Sequence, residues 1–152
     1  MAIDLRELKK LRAETSASVS DCRIALDKSE GDYKKALAWI KKNALSKADK
    51  KADRETGQGI IEPYVHGAGR IGVLVEVMCE TDFVARTEEF QKLAREIAMQ
   101  AAAMDPENVD ALLAQEYIRD TSKTISDLIK ETIAMLGENI LLKRFERFGI
   151  GE

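Results

Sequence analysis

Residues able to do chemistry are sparse in this chain. His66 is its single histidine, set beside Gly67, and Cys22 and Cys79 are its only cysteines, far apart in apolar patterns. One His without a neighbouring Cys, Asp or Glu cluster makes neither a metal site nor the base of a triad, so His66 reads as a solvated loop residue. Cys79 has no second His to activate it and reads as a small buried apolar side chain, and two such thiols imply a reduced protein without a disulfide framework. Gly67, Gly69 and Gly72 stand before a strand, whereas a phosphate loop needs its glycines after a strand and ahead of a helix N-terminus. Enzyme hypotheses start weak, and no cofactor is expected.

Two stretches remain as candidate binding sites. Thr81-Asp82-Phe83-Val84 sets an acid beside an aromatic at a strand-to-helix junction. Burial statistics favour Phe83 as a core plug, position favours a projecting wedge, and Asp82 could equally cap the turn; the residue types leave the choice open. Lys143, Arg144, Phe145, Arg147 and Phe148 interleave basic and aromatic groups, as strands that stack RNA bases do. A strand with core aromatics and solvated arginines is the plainer reading, because the formal net charge is −3 and calls for no nucleic acid. Trp39 lies off the inner stripe of its helix and fits either a binding surface or a ring packed against the linker.

The elements that must position these residues are readable from periodicity. Ile71, Val73, Val75, Val77 and Cys79 alternate with Leu74, Glu76 and Met78, which predicts a central strand with two largely apolar faces. Ile60 to His66 is a second strand, at an edge because Pro63 has no N–H to donate, and Gly67-Ala68-Gly69 turns the chain between the two. Phe90, Leu93, Ala94, Ile97, Ala98 and Ala101 share one face of a helix from about Thr87 to Met104. A last helix, Thr124 to Leu136, closes on Gly137, and Asn139 to Phe148 is a third strand whose mixed faces call for a bulge or an exposed edge. Between residues 105 and 123 the pattern is weak, with a short helix around Leu112 and Leu113. Ahead of the sheet, apolar stripes on Leu5, Leu8 and Leu11, on Val19, Cys22, Ala25 and Leu26, and on Tyr33, Ala36, Leu37 and Ile40 predict three short helices that must form a bundle. Residues 47–58 alternate in charge with almost no apolar weight, a linker that is helical at its start and makes few core contacts. The fold class is α+β: a three-helix module over 1–46, the linker 47–58, and a core over 59–152 with a small three-stranded antiparallel sheet packed with helices. No signal or transit pattern opens the chain and no apolar run is long enough for a membrane span, so a soluble, cytoplasmic protein without membrane contact is expected.

These residues also carry a resemblance. Thr15 with Ala17, Asp21-Cys22-Arg23, Ala25-Leu26, Gly31-Asp32, Cys79-Glu80-Thr81-Asp82-Phe83-Val84, Phe90, and Gly137-Glu138-Asn139-Ile140 with Arg144-Phe145 resemble the bacterial translation elongation factor Ts family. The resemblance implies a bundle similar to ubiquitin-associated domains, and a non-enzymatic exchange factor that releases GDP from elongation factor Tu. It implies that Thr81, Asp82, Phe83 and Val84 form a loop entering the GTPase near its magnesium site, and that Arg12 and Val19 are contacts of the N-terminal module. Longer members have an extended core where this chain has only Asp105 to Lys123. Half a core leaves one sheet face uncovered, so a homodimer through the sheet is expected. The rival reading is an RNA-binding or scaffold protein using residues 143–148.

Overall fold

A computed structural model describes residues 3–152; the first two positions of the expected 1–46 module lie outside the described residues. The helices α1 (Leu5–Thr15), α2 (Val19–Lys28) and α3 (Tyr33–Asp49) are capped by Asp4, Ser18 and Asp32, each side chain accepting a backbone N–H of the first turn. Asp4 takes the N–H of Arg6. Leu11, Cys22, Ala25, Leu26, Ala36 and Ile40 form their shared core, with Leu8, Leu37 and Trp39 packed at its margin. Trp39 is thus a perimeter ring, with the Lys28 ammonium 5.5 Å from its centroid.

The connector is less free than its charge pattern implies. α3 runs on to Asp49, so its 17 residues span about 25 Å and serve two cores. Ala36 and Ile40 belong to the bundle, while Ala48 is buried with the sheet and its helices. The C-terminal part of α3 packs on α7 (Ile125–Leu136), where Lys130 pairs with Asp49 at 3.0 Å.

β1 (Gln58–His66), β2 (Ile71–Cys79) and β5 (Ile140–Gly149) form an antiparallel sheet with β2 in the centre. β1 is an edge, as Pro63 requires. Val73, Val75, Val77 and Cys79 point into the core against α5 (Glu88–Met104), whose Phe90, Leu93, Ala94, Ile97, Ala98 and Ala101 are buried. The expected bulge lies in β5: Glu76 faces Arg144 and Val77 faces Leu142, which leaves Lys143 unpaired and resets the alternation. The weakly patterned interval holds α6 (Val109–Ala114) and a ribbon of β3 (Glu116–Tyr117) with β4 (Asp120–Thr124), while α4 is the single turn Asp82–Ala85 between β2 and α5. The ribbon has no alternating apolar pattern to announce it; it is held by the buried Gln100 of α5, which donates to the Glu116 carbonyl at 3.0 Å and accepts the Ile118 N–H at 3.1 Å. Among the described residues no helix is long and apolar enough to cross a membrane.

Candidate partner-binding site

β2 ends at Cys79, whose thiol donates to the Thr81 carbonyl at 3.1 Å. Thr81 then adopts an extended backbone and caps α4, its Oγ1 accepting the Val84 N–H at 3.3 Å. α4 is a single turn, and a turn this short sorts its side chains by side alone: Val84 and Ala85 are buried, whereas Asp82 and Phe83 face out. Phe83 is 78% exposed, the most exposed large hydrophobic residue among the described residues. Of the two readings the residue types left open, the geometry is that of a projecting ring. Asp82 is exposed and pairs with Arg86 at 2.7 Å one helical turn on. Val84 lies in the core cluster and so anchors the turn from beneath. Thr87 closes the unit, donating to the Val84 carbonyl at 2.7 Å while it caps α5.

The turn is fastened to the start of β5. Glu138 accepts the Thr81 N–H on Oε1 at 2.9 Å and the Thr81 hydroxyl on Oε2 at 2.7 Å. Glu80 in return accepts the Asn139 N–H at 2.8 Å and lies 3.5 Å from Arg54. The Asn139 amide donates to the carbonyls of Ala52 at 3.3 Å and Arg54 at 2.9 Å, so the connector from α3 is tied into the same knot. Reasoning from residue types did not reach Glu138, Asn139 or Glu80 as site residues. Their signals were the Gly137-Glu138-Asn139 block, three residues of turn and polar type between a helix and a strand, and for Glu80 its place directly before Thr81.

Arg12 and Val19 lie on the bundle, away from this knot in the fold. Arg12 is exposed near the end of α1 and lines a cleft of about 420 Å³ between the bundle and the α7–β4 side of the core. Val19 is 43% exposed at the start of α2, close in sequence to the similarly exposed Ile24.

The basic-aromatic strand is split by its own pleat. Phe145 packs against the core, and the Arg147 side chain is 9% exposed and donates to the Ala102 carbonyl at 3.1 Å. Arg144 and Phe148 are on the outer face, with Arg144 3.3 Å from Glu76. The aromatics that would stack bases together are on opposite sides of the sheet. His66 is at the hairpin end, its Nδ1 3.1 Å from the Tyr64 hydroxyl. Cys79 is buried, which pushes its thiol up to about 11.

The elongation factor Ts family model matches residues 80–152, a span that opens at the knot. Proteins named elongation factor Ts match almost the whole chain: that of Coprothermobacter proteolyticus is 41% identical over 100% of both chains, and that of Rippkaea orientalis is 40% identical over 99% of this chain and 79% of its own. The chain belongs to the elongation factor Ts family. Membership places it among translation elongation factors. The Nostoc elongation factor Ts, 43% identical over 97% of this chain, is matched over 47% of its own length. Within the family the chain is compact: the Coprothermobacter alignment has 197 positions against 152 residues here, so about 45 positions have no counterpart in this chain.

Proposed function

We propose that this protein promotes release of GDP from elongation factor Tu, using the Thr81–Val84 turn as the element that enters the GTPase near its magnesium and nucleotide site. Phe83 carries the reading. An aromatic ring left 78% exposed beside a buried Val84 forgoes burial in its own fold, and a rigid aromatic on a fixed turn is the kind of side chain that anchors an interface. Asp82 supplies a polar contact beside it. Thr81 shapes the turn and Val84 roots it. Exchange then works by reciprocal linkage: the free energy that factor binding takes from the nucleotide complex, nucleotide binding takes equally from the factor. No bond is made or broken, so the factor needs neither a nucleophile nor a cofactor.

Arg12 and Val19 form a second contact on the N-terminal bundle, which α3 joins to the core, and a second contact raises the effective concentration of the turn at its target. Substituting either by Ala should increase the factor concentration needed for half-maximal release and leave the maximal rate unchanged; a fall in the maximal rate alone would remove them from docking.

The protein acts as a homodimer paired through the outer sheet face. That face carries Ile61, Val65, Leu74, Leu141 and Phe148, all exposed, on three adjoining strands. The 45 or so missing positions are consistent with a core that lacks a covering layer, and a second copy supplies one. The decisive test of the exchange reading is stopped-flow release of a fluorescent GDP from elongation factor Tu at catalytic amounts of factor. A scaffold or RNA-binding protein would leave the rate at its spontaneous value.

A further inference from the structure

We infer that Glu138 is a positioning residue for Phe83, acting through Thr81; this rests on the exchange reading above. The carboxylate spans both hydrogen-bonding groups that Thr81 can offer in that direction, the N–H at 2.9 Å and the hydroxyl at 2.7 Å. Such charge-assisted bonds are about twice as strong as neutral ones and fix orientation as well as distance. Thr81 is the residue on which α4 turns: its Oγ1 also takes the Val84 N–H at 3.3 Å, so a single oxygen links the carboxylate to the first turn that projects Phe83. With the hydroxyl proton committed to Glu138, the lone pairs of Oγ1 are directed back at the helix N-terminus, as a cap requires. Without the carboxylate, Thr81 is free to rotate about χ1 and the one-turn helix loses the side chain that caps its N-terminus.

The clamp is itself held. Glu138 follows Gly137, the left-handed residue at φ 77° that ends α7, and precedes Asn139, which is buried and grips the connector carbonyls of Ala52 and Arg54. Phe83 is therefore registered against α7, β5 and the exit of the N-terminal module together. Glu138 lies 57 residues from Thr81, and needs to touch no partner to set the angle at which the ring is presented.

The test is GDP release per unit concentration for the parent, Glu138→Ala, Glu138→Gln, Thr81→Val, Phe83→Ala and the double variant Phe83→Ala/Glu138→Ala. Each is also followed by hydrogen exchange at the Thr81 and Val84 amides, which donate to Glu138 and to the Thr81 hydroxyl oxygen. Glu138→Ala should slow release roughly tenfold or more, and Thr81→Val should match it. Glu138→Gln, whose amide oxygen still accepts one bond, should recover most of the rate. The double variant should be no slower than Phe83→Ala, because a badly aimed ring and an absent ring lose the same contact. Amide protection at Thr81 and Val84 should fall in Glu138→Ala while α5 stays protected. A Glu138→Ala protein at the parental rate, or a double variant whose loss is the product of the two single losses, overturns the positioning role. If the parent releases no GDP, the exchange reading fails instead, and unchanged protection at Thr81 and Val84 in both Glu138→Ala and Glu138→Gln overturns the clamp independently.

Discussion

Phe83 and Phe90 stand seven positions apart and have opposite environments. Phe90 is fully buried at the start of α5, whereas Phe83 is mostly solvent-exposed. Phe90→Ala should cost ~3–5 kcal/mol of folding stability. Phe83→Ala should cost no more than ~0.5 kcal/mol, yet slow GDP release by at least ~2 kcal/mol of transition-state stabilisation, roughly thirtyfold. Denaturant melting and stopped-flow release on the same two proteins check this; a Phe83→Ala protein that melts like Phe90→Ala and exchanges normally would return the ring to the core. Cys79 gives a second residue-scale expectation. Burial, with the Glu138 carboxylate adding, raises its thiol from 9.0 to about 11, so between those values the folded state holds a proton that the unfolded state has lost. Stability is then complete below about pH 9 and falls as pH rises toward 11, by up to roughly 2–3 kcal/mol. The difference in unfolding free energy between parent and Cys79→Ala, followed from about pH 8 to about pH 11, isolates this from lysine and tyrosine titration. A flat difference would mean that the thiolate is tolerated where it sits.

At the scale of elements, the site is one turn of helix between a strand and a long helix, and it has little stability of its own. α4 has four residues, too few for helix propensity to hold it. Its order comes from caps at both ends and from the β5 start. Asn139 is the part of that knot whose loss reaches furthest, since it is 8% exposed and its amide is shared by two carbonyls of the connector. Asn139→Ala should lower stability by about 1–3 kcal/mol by leaving those carbonyls without their donor. Limited proteolysis should then cut within residues 50–57 faster than elsewhere; unchanged cleavage would show the connector is held by other contacts. How much of this was legible follows the same division. The amphipathic stripe of α5, the alternation of β2 and the Gly137 stop are local signals, and the structure has each where the pattern put it. The β3–β4 ribbon was not legible, and the helical start of the connector was legible without what it packs on, because Gln100 and α7, which hold them, are distant in the chain.

For the molecule as a whole, the outer sheet face is the feature to test, since Ile61, Val65, Leu74, Leu141 and Phe148 are all exposed on it. Leu74 is 49% exposed at the centre of that face, beside Pro63 on β1 and Glu146 on β5. Sedimentation equilibrium at micromolar concentration should give about twice the chain mass of 16.9 kDa. Leu74→Glu should yield a folded monomer, because a carboxylate there is solvated in one copy and desolvated between two. A parent that sediments at the chain mass would exclude the pairing. A Leu74→Glu protein that remains dimeric would move the interface to another surface.

What the sequence determined by itself was every feature decided within a few residues: the caps at Asp4, Ser18 and Asp32, the alternation of β2, the edge position of Pro63, and the family-like blocks around Phe83 and Glu138. Periods of two and 3.6 residues are short-range, and they state which side chains share a face without stating what lies opposite it. The outward turn of Phe83, the inward turn of Arg147 against the Ala102 carbonyl, and the grip of Glu138 on Thr81 were decided by tertiary structure alone. Each depends on a partner tens of residues away, and only closing the sheet and laying α5 and α7 against it brings that partner within hydrogen-bond reach.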